Sequence, residues 1–408
     1  MIFLIKKFEK MNLEDIFVSG APGRIYSLND SLFEFHEVVR DVNRAAASGV
    51  QYLFDIFPSA YYRHAATLDM IVDRDHPWSQ EVLDSYNSHM HCHAAASVLV
   101  EINDATIKNS VIFCRRDEDI TILYETYRFP DRVSGDVYPN SIGNIKNCDF
   151  EMGGGPFMYL GSAGSFNYGH WLVDDLPRAK AWLDLRRKLG VTCTILLPAH
   201  GDKIDEIRVQ SLRSMIDRDI EVQFVDPNRP LRIRNLYYLT PVSFHPRIKN
   251  PLAINFLRSC AANCVPEREE SQGRKLFVAR RPPHSRAIIN FHELWGFLEE
   301  RGFEFIEAEK LDFLDQVAIF QNSSVVVGQM GAAMTNTLFC RPATNLVYLA
   351  PVGWKEPFYL DLAAVGGQQY QVLFGETVGS DLPYLSDFEM RVDHLYHRLT
   401  YMGLTAIR

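Results

Sequence analysis

Alternating strand and helix patterns predict an α/β fold of two doubly wound, Rossmann-like units facing a cleft, behind a small N-terminal region with short strands. Three observations carry this. From residue 150 to 265, strand-like runs such as Cys193–Pro198 (CTILLP) take turns with helical stretches such as Asp202–Arg218. After a charged break at Pro266–Arg274 (PEREESQGR) the alternation starts again. Within this second half, Ser324–Phe339 (SVVVGQMGAAMTNTLF) reads as a buried strand, a small-residue turn and a helix start. The expected division is therefore 1–149, 150–265 and 266–408.

The 408 residues are 47% hydrophobic and 23% charged, as in an ordinary soluble globular protein. A net charge of −9 disfavours a nucleic-acid partner, which wants a basic surface, but leaves room for a local basic pocket. Seven scattered cysteines do not form a disulfide framework and read as reduced thiols. The apolar run before Lys6 is too short for a secretory core or a membrane span. A cytoplasmic protein is expected, with at most a weak contact of this segment with a membrane surface. Nothing in the sequence speaks to oligomeric state.

In chain order, helices are expected around Leu32–Ala47 and Ser79–Asn87, then short strands from Ala96 onward, separated by Asn-Asp and Asp-Glu-Asp turns. His89, His91 and His93 alternate and would share one face of a strand, where a partly exposed polar face is favoured over a metal site. Pro156–Leu160 (PFMYL) reads as a strand. In Asn167–Arg178 (NYGHWLVDDLPR), His170, Val173 and Asp174 fall at helical spacings on one face, and Pro177 requires a helix start or a kink. Strands follow at residues 220–225 and 231–242, and a helix at 250–265. The second unit is read as strand, helix to Gly302, strand, helix at 312–323, the Ser324–Phe339 unit, two more strands, and a final amphipathic helix from Asp387.

Two features suit anion chemistry. The Gly331–Ala333 turn would gather backbone N–H groups and the positive end of a helix dipole, although any α/β crossover needs such a turn. Arg280 and Arg286 follow a strand at the edge where doubly wound sheets bind ligands, and their planar forks suit phosphate; a solvated basic loop is the plainer alternative, and Arg281 could stand in for Arg280. Three Asp-x-Asp triplets, at 73–75, 117–119 and 217–219, are as many as chance allows in an acidic chain, so no metal ligand is assigned. Neither unit has a G-x-G-x-x-G followed by an acidic residue, which disfavours a nicotinamide dehydrogenase.

Three separated segments, Asn167–Arg178, Val278–Asn290 and Phe313–Phe339, together resemble the signature of glycosyltransferase family 61. The matching residues are His170, Asp174, Pro177 and Arg178, then Arg280, Arg286 and Asn290, then Gln316, Phe320, Gly328, Gly331, Ala332 and Asn336. The resemblance spans roughly residues 150–350. It implies a GT-B architecture and metal-independent, inverting transfer from a nucleotide-activated sugar to a hydroxyl of a glycan or other acceptor, with no bound cofactor. It implies His170 as the base, with Asp174 orienting it or acting as base itself. It also implies donor binding by Arg280, Arg286, Gln316, Gly331, Ala332, Thr335 and Asn336. Two positions depart from the pattern: Met330 stands where the family has His, and Phe291 where it has Glu. Methionine donates no hydrogen bond. Either the donor differs, or the chain is a weakened or inactive relative serving as a glycan- or nucleotide-binding or scaffold protein.

Overall fold

The computed structural model describes residues 24–29, 32–37, 49–64, 66–67, 70, 77–88, 90–116, 119–123, 126, 145, 148, 151–265, 273–280, 286–379 and 386–404. The N-terminal third contributes strands β1 (Arg24–Asn29), β2 (Leu32–Glu37), β3 (Val50–Phe57), β4 (Ala60–Arg63), β5 (His91–Ala94), β6 (Ser97–Lys108), β7 (Val111–Arg116) and β8 (Asp119–Leu123), with helix α1 (Pro77–Asn87). The middle third adds β9 (Phe157–Tyr159), α2 (Lys180–Leu189), β10 (Thr194–Pro198), α3 (Asp202–Met215), β11 (Val222–Val225), β12 (Leu231–Leu239), β13 (Ser243–Phe244), β14 (Ile248–Lys249) and α4 (Pro251–Cys264). The last third runs β15 (Arg274–Val278), α5 (Phe291–Glu299), β16 (Glu304–Ile306), α6 (Phe313–Gln321), β17 (Ser323–Gln329), β18 (Asn345–Pro351), α7 (Phe358–Gly366), β19 (Gln369–Val378), β20 (Asp387–Glu389) and α8 (Val392–Tyr401).

The first sheet is mixed. Its order is β11-β10-β9-β12-β6-β7-β8-β1-β2, with β3 also on β6. β11, β10, β9 and β12 are parallel, whereas β12 pairs antiparallel with β6 from Leu231↔Ile107 to Leu239↔Leu99. The sheet thus runs on across residue 150. The β6–β7 hairpin turns at Asn109 and Ser110, both left-handed (φ 50° and 60°), as two-residue hairpin loops require. The expected turn at Asn103-Asp104 lies instead inside β6, with Asp104 at φ 63°. The expected helix at Leu32–Ala47 begins as strand β2, paired antiparallel with β1; LFEFHE alternates with the strand period, and the rest of that call lies outside the described residues.

The second sheet has the order β16-β15-β17-β18-β19-β20, its first five strands parallel and β20 antiparallel. The parallel strands are covered on both faces, which is why β17 is a near-continuous valine run. Among the parallel strands of each sheet the order reverses once, between β9 and β12 in the first and between β15 and β17 in the second. Ligand crevices open at the carboxyl ends of strands at such points.

The units pack directly on each other. One buried cluster extends from Ile56 to Val372 and draws on both. The N-terminal third joins both as well: Tyr86 of α1 meets Tyr370 of β19 (3.0 Å), and Ser85 Oγ donates to the Lys355 carbonyl (2.9 Å). Among the described residues, no helix is long and apolar enough to cross a membrane. None of the seven cysteines forms a disulfide.

Candidate active site

On the first unit, the site grows from the loop after β9. Glycine is forced here by crowding: a Cβ at Gly164 would stand 2.6 Å from the His170 ring, and one at Gly169 would stand 2.7 Å from Thr335 Oγ1 of the second unit. Asn167 caps the following helix by accepting the Gly169 N–H (2.8 Å). That helix lasts one turn, widens to a π-helix over Trp171–Asp175, tightens to a 3-10 turn over Leu176–Ala179, and only then becomes α2. Pro177 sits in the tight turn, so the expected kink is real. Single π turns inside helices mark functional sites more often than chance.

The irregular helix presents His170 on the cleft wall with its Nδ1 2.7 Å from Asp174 Oδ2. Asp174 is buried (3% exposed), and its other oxygen accepts the Ser243 hydroxyl. A carboxylate held on both oxygens is fixed in place and can in turn fix the imidazole. With Nδ1 committed, proton exchange falls to Nε2. Beneath this pair, Asp175 accepts from Ser165 (2.7 Å) and Arg178 (3.2 Å), and Arg178 also reaches the Leu239 carbonyl (2.9 Å). The buried Arg178 therefore braces the β9–β12 reversal.

The second unit supplies the cations. Arg286 has φ 63°, and its carbonyl accepts the Gln329 side-chain amide. Its guanidinium lies 5.5 Å from the Trp354 ring centre. Burial, with Arg280 beside it, pulls the Arg286 pKa below its ordinary value. Two converging like charges favour an anion between them. After β17, Gly331 is extended (φ 168°) and the chain forms a 3-10 helix over Ala332–Phe339 in place of an α-helix. Its first N–H groups, which a helix leaves without internal partners, belong to residues lining the cavities. Tyr359 fixes the turn by donating to the Gly331 carbonyl (2.6 Å).

These parts meet. A cleft with about 550 Å³ of open space is walled by His170 and His245 from the first unit, and by Arg286, Gly331, Ala332 and Thr335 from the second. A smaller cavity of about 320 Å³ adjoins it, lined by Arg280, Glu309 and Met330, and shares Arg286 and Gly331. Arg281 lies outside the described residues.

Gln316 and Asn336 line neither cavity and need correction as donor contacts. Both are buried (3% and 0% exposed). Asn336 Nδ2 donates to Gln316 Oε1 (2.8 Å) and Asn336 Oδ1 accepts the Tyr168 hydroxyl (2.6 Å). They hold the turn against the first unit from behind.

His245, Glu356, Ser243 and Trp354 are site residues that sequence reasoning missed. His245 Nε2 pairs with Glu356 (2.8 Å), and its ring sits 4.5 Å from that of His170 and 5.3 Å from Phe358. Ser-Phe-His-Pro follows no strand or helix period, so only an isolated histidine before proline could have drawn notice.

Among the described residues, one group has metal-ligand character: His64, Cys92 and Asp361, all buried. Lys249 Nζ already stands 2.8 Å from Asp361 Oδ2, and the Tyr62 hydroxyl donates to Oδ1 (2.5 Å). Burial pushes the Cys92 thiol up to about 11 and His64 down toward its neutral form. The cluster is charge-balanced as it stands; a dication with a thiolate would leave one net positive charge in the core. Of the Asp-x-Asp triplets, 217–219 is a surface turn in which Asp217 pairs with Arg186 (3.0 Å), and Asp73, Asp75 and Asp117 lie outside the described residues. Likewise His89 lies outside them, while His91 is exposed and His93 stacks on Tyr61 (4.2 Å).

No curated protein matches the chain. Among solved structures it is similar to the dodecameric iron-containing heptosyltransferase TibC, crystallised with ADP-D-β-D-heptose. That likeness has 12% identity and a TM-score of 0.25 over 62% of this chain and 72% of that one, and nothing further rests on it. Residues 168–347, the span holding His170, both arginines and the Gly331 turn, match the family described as Glycosyltransferase 61.

Proposed function

We propose that the protein is an inverting, GT-B-type glycosyltransferase that moves a sugar from a nucleoside diphosphate donor to a hydroxyl of a glycan acceptor without a metal ion. The observation that carries this reading is the opposition of His170, oriented by Asp174, to Arg286 and the Gly331 turn across one cleft. In a single displacement, His170 Nε2 takes the acceptor hydroxyl proton as that oxygen bonds to the anomeric carbon. The bond from this carbon to the diphosphate breaks on the opposite face, and its electron pair leaves with the phosphate oxygen. Arg280, Arg286 and the N–H groups of the turn carry the charge that develops there, the part a cation plays in other enzymes.

A nucleoside diphosphate is expected to raise the melting temperature without added metal, and Arg286→Ala to abolish that shift. If no nucleotide or nucleotide sugar moves the melting point of the native protein, this reading falls. Met330 favours one other reading, a relative that binds nucleotide without transferring sugar: it is 2% exposed, its N–H is taken by the Leu349 carbonyl (2.9 Å), and its side chain offers no donor to the smaller cavity it lines. Measurable transfer by the native protein dismisses it.

A further inference from the structure

The β13–β14 hairpin touches both halves of the site. Its strands pair Ser243 with Lys249 and Phe244 with Ile248, so one short hairpin reaches from unit to unit. At its start Ser243 donates to Asp174, the carboxylate that holds His170. At its end Lys249 Nζ donates to the Phe358 carbonyl (3.0 Å) and to Asp361 (2.8 Å), both on α7 of the second unit. Between these anchors the His245 ring packs against His170 and Phe358, and its Nε2 meets Glu356. Glu356 precedes α7, so this pair joins the two units across the larger cavity that both residues line.

His245 is badly placed to exchange protons itself. Its Nε2 is taken by Glu356, and its Nδ1 is buried without a hydrogen-bond partner. Neither nitrogen is open to a hydroxyl in the cleft. The ring can instead fix its neighbour: packed on His170 and tied at one end to the opposite unit, it limits how far the base can tilt or slide. Such a restraint has a purpose here. Displacement needs the base within hydrogen-bond reach of the attacking hydroxyl, and that hydroxyl aligned with the anomeric carbon. The base stands on the first unit, whereas the cations for the donor stand on the second, so their separation has to be held. We infer, as a consequence that rests on the transferase reading, that Glu356 is a positioning residue: by gripping His245 it sets the place of His170 relative to the donor on its own unit.

The test is a double-mutant cycle on the full-length protein, reading release of nucleoside diphosphate from UDP-glucose, UDP-xylose, UDP-N-acetylglucosamine and GDP-mannose with water as acceptor. Glu356→Ala removes the grip, and His245→Phe keeps a ring against His170 while losing the link. Each is expected to lower kcat about tenfold, less than the roughly 10²-fold that a misplacement of about 1 Å can cost. KM for the donor and the melting shift with nucleoside diphosphate should stay as in the native protein, which also shows that both variants fold. The double variant should be no slower than the slower single one, because both changes cut the same link. Glu356→Gln keeps an oxygen to accept from Nε2 and should recover most of the rate lost in Glu356→Ala. Losses that multiply in the double variant overturn the inference, since Glu356 then acts without His245. So does an unchanged kcat in Glu356→Ala, a rate in Glu356→Gln as low as in Glu356→Ala, or a loss in His245→Phe as deep as in His170→Ala, which would make His245 itself the proton carrier. Each of these leaves the transferase reading intact. Absence of turnover by the native protein removes both.

Discussion

Among the described residues, two histidine side chains lie within 4 Å of an aspartate carboxylate, and their surroundings differ. His170 is 24% exposed at the side chain, stands on a cleft wall, and has its Nδ1 2.7 Å from Asp174, which also accepts the Ser243 hydroxyl. His64 is 3% exposed and lies 3.8 Å from Asp361, whose charge is already matched by Lys249 at 2.8 Å. In the first pair the imidazole meets the carboxylate directly. In the second the lysine has taken that place, and a further proton on His64 would leave an unmatched charge in the core. Composition is the same; access and the third partner decide the role.

The largest expected effect tests the first half of that contrast. His170→Ala should lower transfer by about 10³-fold, within the usual range for loss of a general base, while the nucleoside diphosphate still raises the melting point. Unchanged turnover would move the base elsewhere, with His245 the nearest candidate at 4.5 Å between ring centres. The next effect tests the second half. Lys249→Met leaves the Asp361 carboxylate buried without its cation, and should cost about 3 kcal/mol in chemical denaturation, the lower end for breaking a buried pair. Replacing Asp361 by Leu in the same variant should recover part of that loss, whereas no loss in the single variant would mean that Lys249 is not the charge partner.

This contrast also marks what the sequence could and could not disclose. His170 and Asp174 were legible because they lie one helical turn apart, and the arginines because they follow a strand at a sheet edge. The strand, turn and helix around Gly331 were legible from their residue sizes, save that the helix is 3-10. Gln316 and Asn336 were misread as ligand contacts since a polar residue beside a motif looks the same whether it faces a cleft or another side chain. Helix α7 went unread because nearly every residue in it is buried, which erases the amphipathic period, and with it went Asp361, the centre of the buried cluster. Lys249 and His245 come from an irregular stretch whose partners are about 110 residues away, and no local pattern encodes such pairings.

The smallest expected effect bears on His64 alone and follows from the sign of its shift. Burial, the largest cause, lowers its pKa below the ordinary 6.5; Asp361 raises it and Lys249 lowers it further. Below pH 6.5 the unfolded chain therefore takes up a proton that the folded chain refuses. The unfolded state binds more protons there, so stability falls with falling pH, by at most about 1.4 kcal/mol per pH unit for one site. His200 is shifted the same way by burial and adds its own slope, so the native profile alone does not isolate His64. The difference from His64→Gln does. Denaturation between pH 7 and pH 5 should show the variant losing about 1 kcal/mol less than the native protein. If both lose the same amount, His64 accepts a proton in the folded state, the Lys249–Asp361 pair does not satisfy the carboxylate, and the distinction drawn between the two histidines fails on the buried side.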